Sequence, residues 1–184
     1  MKLDLSIFSF WATASTRRKR IYSFLIVLVA GFIMVAVGSV IPISSSSAHN
    51  IYNQLNSTVS QNVQSGTIVQ YIFLNNFRIC LMFFIPIFGP LFGVVSFVTT
   101  GYYIGAEAKV QGIPPLLYVG LEPLSPIFWL EFTAYSIAIA ESFWLLRRLL
   151  QQRFSEVKIL LICIGICAAL LAVGAIIESM LPLV

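Results

Sequence analysis

The chain has 184 residues, 59% of them hydrophobic and only 10% charged, with a mean hydropathy of +0.93. Soluble globular domains carry roughly a quarter charged residues, so this composition excludes an ordinary soluble domain and instead suits a set of membrane spans of about 20 residues each. The formal charge of +4 is gathered in a few basic clusters rather than spread over a face, which argues against nucleic-acid binding.

At the N-terminus an apolar patch over residues 7–12 contains Phe8, Phe10 and Trp11. It predicts a short interfacial helix with its aromatics at headgroup level. The basic run Arg17-Arg18-Lys19-Arg20 follows, and then an apolar run over about 21–43. That run is too long for a signal-peptide core and lacks a clear cleavage site, so it reads as a first span. The positive-inside rule places the N-terminus in the cytoplasm, and the same cations suit anionic lipid headgroups.

Residues 44–66 form an external polar loop rich in Ser, Asn and Gln, without acidic or basic side chains. Within it Ile51, Leu55, Val59 and Val63 recur at four-residue spacing. That spacing predicts an amphipathic helix on the outer surface or against the bundle. Asn56-Ser57-Thr58 is a glycosylation sequon, making Asn56 a candidate acceptor. The lone histidine, His49, reads as a solvated loop residue.

From residue 67 to 108 the chain is long enough for two spans, about 67–86 and 88–107, folded back at Pro86-Ile87-Phe88-Gly89-Pro90. The alternative is one kinked span over about 78–104, giving four spans in all. Charge separates the two. Arg147, Arg148, Arg153 and Lys158 mark a loop that belongs inside. Only an even number of spans before it keeps it there.

An outer loop follows over 109–126, with a short apolar patch at 116–121 that suits a half-inserted segment. The fourth span, about 127–146, carries Glu131 and Glu141. The fifth, about 159–181, carries Glu178 and is rich in small residues: Gly165, Ala168, Ala169, Ala172, Gly174 and Ala175. Small residues let helix backbones approach closely. This span is therefore expected deep in the bundle, or against a protein partner or a second copy. The expected fold is all-α: a single membrane domain over 1–184, a polytopic transmembrane helix bundle of five spans with a cytoplasmic N-terminus.

Six polar residues fall within the proposed spans: Asn75, Asn76, Arg78, Glu131, Glu141 and Glu178. Charges there are penalised by a few kcal/mol each and are expected to face inward and pair. The expected pairing is Arg78 with Glu141, with Asn75 and Asn76 as hydrogen-bonding neighbours. The cluster reads either as a packing network or as an intramembrane polar path through Arg78, Glu131 and Glu141. Catalysis has no motif here: there is no His-Glu-x-x-His, no Gly-x-Ser-x-Gly and no phosphate-cradling glycine loop. Cys80, Cys163 and Cys167 lie in apolar runs without a nearby histidine, so no metal or other cofactor is expected.

Phe73-Leu74-Asn75-Asn76 before an apolar segment, Gly101 and Gly105 closing the next one, and Glu131 followed by Ala134 form a recognisable series. Over roughly residues 66–145 the chain resembles the stage II sporulation protein M family of integral membrane proteins. Here Pro126 to Leu130 precede Glu131, where the family often carries His-Gly. The resemblance implies a multi-pass, non-enzymatic component of the cell membrane. Its spore-forming members act as membrane scaffolds that recruit cell-wall-degrading enzymes. The expected function is thus a membrane scaffold or accessory subunit, with lipid and a protein partner or second copy as its contacts. The alternative is a transporter or permease component using the polar path.

Overall fold

The computed structural model describes residues 13–151 and 157–180. The expected interfacial helix over 7–12, and Arg153, lie outside these. Seven α-helices and one 3-10 turn make up the described residues, with no strand among them. In chain order they are α1 (Thr16–Ser39), α2 (Ser45–Gln64), α3 (Ile68–Phe83), α4 (Phe88–Gln111), α5 (Pro115–Leu121), the 3-10 turn Glu122–Leu124, α6 (Pro126–Leu150) and α7 (Val157–Met180).

Local chemistry sets the helix ends. Ser15, Ser44 and Ser125 stand before α1, α2 and α6, and each hydroxyl accepts a hydrogen bond from a first-turn backbone N–H. Gly112, with φ of 71°, closes α4 in the left-handed conformation that favours glycine. The basic run does not precede α1 as a loop but lies inside its first turns, because Ser15 caps the helix upstream of it.

Five helices, α1, α3, α4, α6 and α7, alternate in direction. Arg20 lies beside Glu141, and Phe32 packs edge-on against Phe128, so α1 and α6 run antiparallel. In α7, Cys167 lies at the Ala134 carbonyl and Gly174 near Leu130, so it also runs against α6. Within α3, Asn76 meets Glu131 and Cys80 meets Ala134, so α3 runs with α6. The N-termini of α1, α4 and α7 therefore share one end with the C-termini of α3 and α6. That end holds Arg17, Arg18, Lys19, Arg20, Arg147, Arg148 and Lys158, and is here called the basic end.

The α1–α4 pair is the most extensive contact, and glycine explains how it forms. A Cβ on Gly101 would stand 2.1 Å from the Val35 carbonyl oxygen, one on Gly105 2.3 Å from that of Ser39, and one on Gly38 2.2 Å from that of Val98. No side chain fits between these backbones. The sequence expectation put close packing on the last helix, but the tightest approach is here. In α7, Gly174 and Ala175 are buried towards the bundle, while Gly165 and Ala169 face outward, with nothing near the Gly165 Cα.

α3 and α4 are separate helices joined by a tight corner, so the chain folds back here rather than running as one kinked helix. At the corner the Phe88 N–H donates to the Pro86 carbonyl at 2.7 Å, and Ile87 takes φ 68°, ψ −55°. This is a γ-turn with positive φ, a strained conformation for a β-branched residue. Gly89 lies so close to the Phe83 carbonyl that a Cβ would stand 2.0 Å from its oxygen.

The core is one cluster running from Val35 through Phe83, Phe97, Phe128 and Phe132 to Ile139, Cys167 and Leu171. Phe97 and Phe132 meet at 5.2 Å between ring centroids, and Phe128 stacks on Phe132 at 4.3 Å. Two helices are long and apolar enough to cross a membrane: Thr16–Ser39 and Lys158–Met180, with mean hydropathies of 2.6 and 3.0. Only 17% and 22% of their apolar windows are buried. The outward face of α1 exposes Ile21, Ile26, Val29, Ile33 and Val37, each more than half accessible. So large an apolar face is rare on a soluble monomer and marks a membrane or protein contact. The shorter apolar helix α3 spans 16 residues.

The polar 44–66 segment is mostly helix. α2 packs along the distal part of α4 with Ala48 fully buried, but Leu55 and Val63 of its apolar stripe remain exposed. The Lys109 ammonium donates to the Ile43 carbonyl, tying the start of this segment to the end of α4. The apolar patch at 116–121 forms α5, which lies against α4 and α1 with Val119 buried.

Candidate functional site

The polar residues of the helices do not form one cluster. They fall into two groups separated by packed rings, and one residue belongs to neither.

The first group lies toward the distal end. The Asn76 amide donates to Glu131 Oε1 at 2.5 Å, joining α3 to α6. The Asn75 amide donates to Asn76 Oδ1 at 3.3 Å from an exposed position. One helical turn toward the basic end, the Cys80 and Cys167 thiols both approach the Ala134 carbonyl, at 3.9 and 3.2 Å. Three helices thus meet at one stretch of α6. Glu178 is exposed near the distal end of α7.

The second group lies at the basic end. Glu141 is buried, with Arg148 at 3.1 Å and Arg20 at 3.4 Å from its carboxylate oxygens. The Arg20 and Arg147 guanidinium groups lie 5.7 and 5.5 Å from the centre of the Trp144 ring, within cation–π range. The expected Arg78–Glu141 pair is absent, and the geometry gives the reason. Glu141 stands near the basic end, level with the start of α1, whereas Arg78 lies between Asn76 and Cys80, which face Glu131 and Ala134. The two are separated along the bundle by the layer of Phe83, Tyr135 and Ile139.

Arg78 faces out of the bundle. Residues two apart on a helix point about 200° apart, so the inward direction of Asn76 and Cys80 sends Arg78 outward. It is exposed and makes no hydrogen bond or ion pair with another described residue.

Sequence reasoning missed Arg20 and Arg148 as the partners of Glu141. Arg148 was readable, since seven residues are two helical turns and leave both side chains on one face. Arg20 was not, because it required the antiparallel register of α1 and α6.

At the distal corner Gln111 Nε2 lies 3.4 Å from the Tyr118 hydroxyl and 3.3 Å from Glu107 Oε1. Burial, and then the neighbouring Glu107 carboxylate, push the Tyr118 phenol up to about 12. Burial raises the Glu122 carboxyl above its ordinary value, with Glu107 adding to the effect. Asn56 is exposed on α2, and His49 Nδ1 lies 2.8 Å from the Ser45 carbonyl one turn earlier in the same helix. Among the described residues no group of three His, Cys, Asp or Glu side chains is placed to hold a metal ion.

Chemically, the first group is an amide holding a carboxylate and the second a carboxylate held between two guanidiniums. Both fix helices to one another: α3 to α6 in the first, α1 to α6 in the second. No family model, curated protein or solved structure matches this chain.

Proposed function

We propose that this chain is a multi-pass membrane protein with five spans and a cytoplasmic N-terminus, acting as a non-enzymatic scaffold or accessory subunit of a membrane complex. The observation that carries the reading is the alternation of α1, α3, α4, α6 and α7. It gathers the basic residues Arg17–Arg20, Arg147, Arg148 and Lys158 at one end of the bundle, as the positive-inside rule requires of a cytoplasmic face. The distal end carries Ser- and Asn-rich α2, Glu107, Glu122 and Glu178, with Lys109 its one cation among the described residues.

The two polar groups support a structural role, since each cross-links helices in a setting where unsatisfied polar atoms are costly. The resemblance over residues 66–145 points the same way. A transport role draws less support, because Arg78, Glu131 and Glu141 do not face one another and aromatic rings pack between the two groups.

The test is purification from native membranes in a mild detergent, with mass spectrometry of whatever co-elutes in stoichiometric amount. A stable partner is the expected result. A chain that elutes alone, while transporting a solute in vesicles, overturns the scaffold reading.

A further inference from the structure

The outward face of α3 presents Tyr71, Leu74, Asn75, Arg78, Leu81 and Met82 in a continuous exposed stripe, and Ile85 is exposed just beyond the helix end. No other described helix covers it. Around Arg78, which stands in the middle, the face is apolar except for Tyr71 and the Asn75 amide.

Its depth follows from the register. Arg20 of α1 is level with Glu141 and Phe32 with Phe128, while Asn76 and Cys80 are level with Glu131 and Ala134. Arg78 is therefore level with the middle of α1, near Leu28. If α1 crosses the bilayer, as the five-span reading on which this inference rests requires, Arg78 lies close to the midplane. An arginine there is disfavoured by roughly 2.5–3.5 kcal/mol even on the lenient insertion scale. Its side chain is too short to carry the charge across half of a hydrocarbon core about 30 Å thick.

Among the described residues Arg78 has no partner. Glu131 is the carboxylate nearest in level, and Asn76 occupies it on the inner side of α3. Glu141 is enclosed by Arg20 and Arg148, and Glu178 stands about three helical turns farther along, toward the distal end. A second copy docked symmetrically on this face would set Arg78 against Arg78. Like charge thus argues against a symmetric pair of copies and for an acidic partner from another protein.

We infer that the Arg78 face of α3 docks a transmembrane helix of a different protein, one that carries an aspartate or glutamate at mid-depth. The apolar residues on both sides of Arg78 pack against that helix, and the ion pair fixes its register. This names the surface through which a scaffold of this kind holds its partner.

The test places the photo-crosslinker p-benzoylphenylalanine at Leu74 or Leu81, either side of Arg78, in the full chain in native membranes. Val29 on the exposed face of α1 serves as the control position. Adducts with one protein are expected from the first two positions and not from Val29. Peptide mapping should put the adduct within one turn of an acidic residue in a transmembrane helix. Arg78→Leu should lower the adduct yield at least about tenfold, while Arg78→Lys keeps most of it. Exchanging the charges, Arg78→Glu with the partner's acid changed to arginine, should restore it.

Adducts with lipid alone, with a second copy of this chain, or with a helix lacking an acidic residue overturn the inference. So does a yield unchanged in Arg78→Leu, or ready labelling of Arg78→Cys by a membrane-impermeant thiol reagent, which would put Arg78 in water. A partner captured from Gly165 on α7, but not from Leu74 or Leu81, leaves the scaffold reading standing and removes only this surface. Lipid adducts at every position, with the chain eluting alone, sink both.

Discussion

At the scale of the residue, the sequence pairs Glu141 with Arg78, whereas the structure keeps Glu141 buried with other partners and turns Arg78 outward. Glu141 is buried between two cations, so replacing it with leucine leaves Arg20 and Arg148 confronting each other. The expected loss for Glu141→Leu is about 3–5 kcal/mol, the range for removing one member of a buried ion pair, read as a lowered thermal midpoint in detergent. Arg78→Leu, on the exposed face, should stay within about 0.5 kcal/mol of the parent in the isolated chain. Equal losses in the two variants would show that Arg78 is held inside the bundle. Glu122 gives a prediction in pH. Its carboxyl is raised in the fold by burial first and by Glu107 second, so the fold favours the protonated form. The stability this contributes is complete below the ordinary carboxyl value of 4.5 and is lost as pH rises through the raised value. Glu122→Gln should flatten the pH dependence of stability across that interval. An unchanged profile would show that the distal corner leaves Glu122 solvated.

At the scale of the element, the contact between α1 and α4 depends on missing side chains. Gly101→Ala would place a methyl group 2.1 Å from the Val35 carbonyl oxygen, and the helices must separate to admit it. A loss of about 1–3 kcal/mol is expected, as for overpacking elsewhere. Gly165→Ala, with open space around its Cα, should be neutral or gain up to about 1 kcal/mol from helix propensity. Comparing thermal midpoints of the two variants checks this, and a Gly165→Ala loss as large as that of Gly101→Ala would contradict the assigned contacts. The last helix stands out in the sequence because glycine and alanine together are frequent there. Spacing alone does not tell a glycine facing a backbone from one facing outward, and only the placement of a neighbouring helix decides between them. The amphipathic pattern of α2 was legible as a helix for the opposite reason, since a four-residue period is a property of the segment itself. Which side of α2 packs was not legible: Ala48 is fully buried while Leu55 and Val63 stay exposed.

At the scale of the whole molecule, the alternation of helices makes a topological prediction that single cysteines can test. In intact cells a membrane-impermeant thiol reagent should label Ser46→Cys, at the distal end, and should reach Gln151→Cys, at the basic end, only after permeabilisation. Labelling of both from the same side would contradict the five-span arrangement. Background should be low, since Cys80 and Cys167 are fully buried and Cys163 partly so. The sequence by itself determined the helical class, the fold-back at Pro86–Pro90 and the positions of the long helices to within a few residues. These follow from composition, apolar run length and the Pro/Gly turn, all of which act locally along the chain. It also located Asn76 and Glu131 as polar groups needing partners. Only the tertiary structure decided who those partners are. It joined Asn76 to Glu131, gave Glu141 to Arg20 and Arg148, and turned Arg78 outward, because pairing depends on the register and rotation of helices far apart in sequence. A helix period shows which residues share a face, and only the packing of the bundle shows what that face meets.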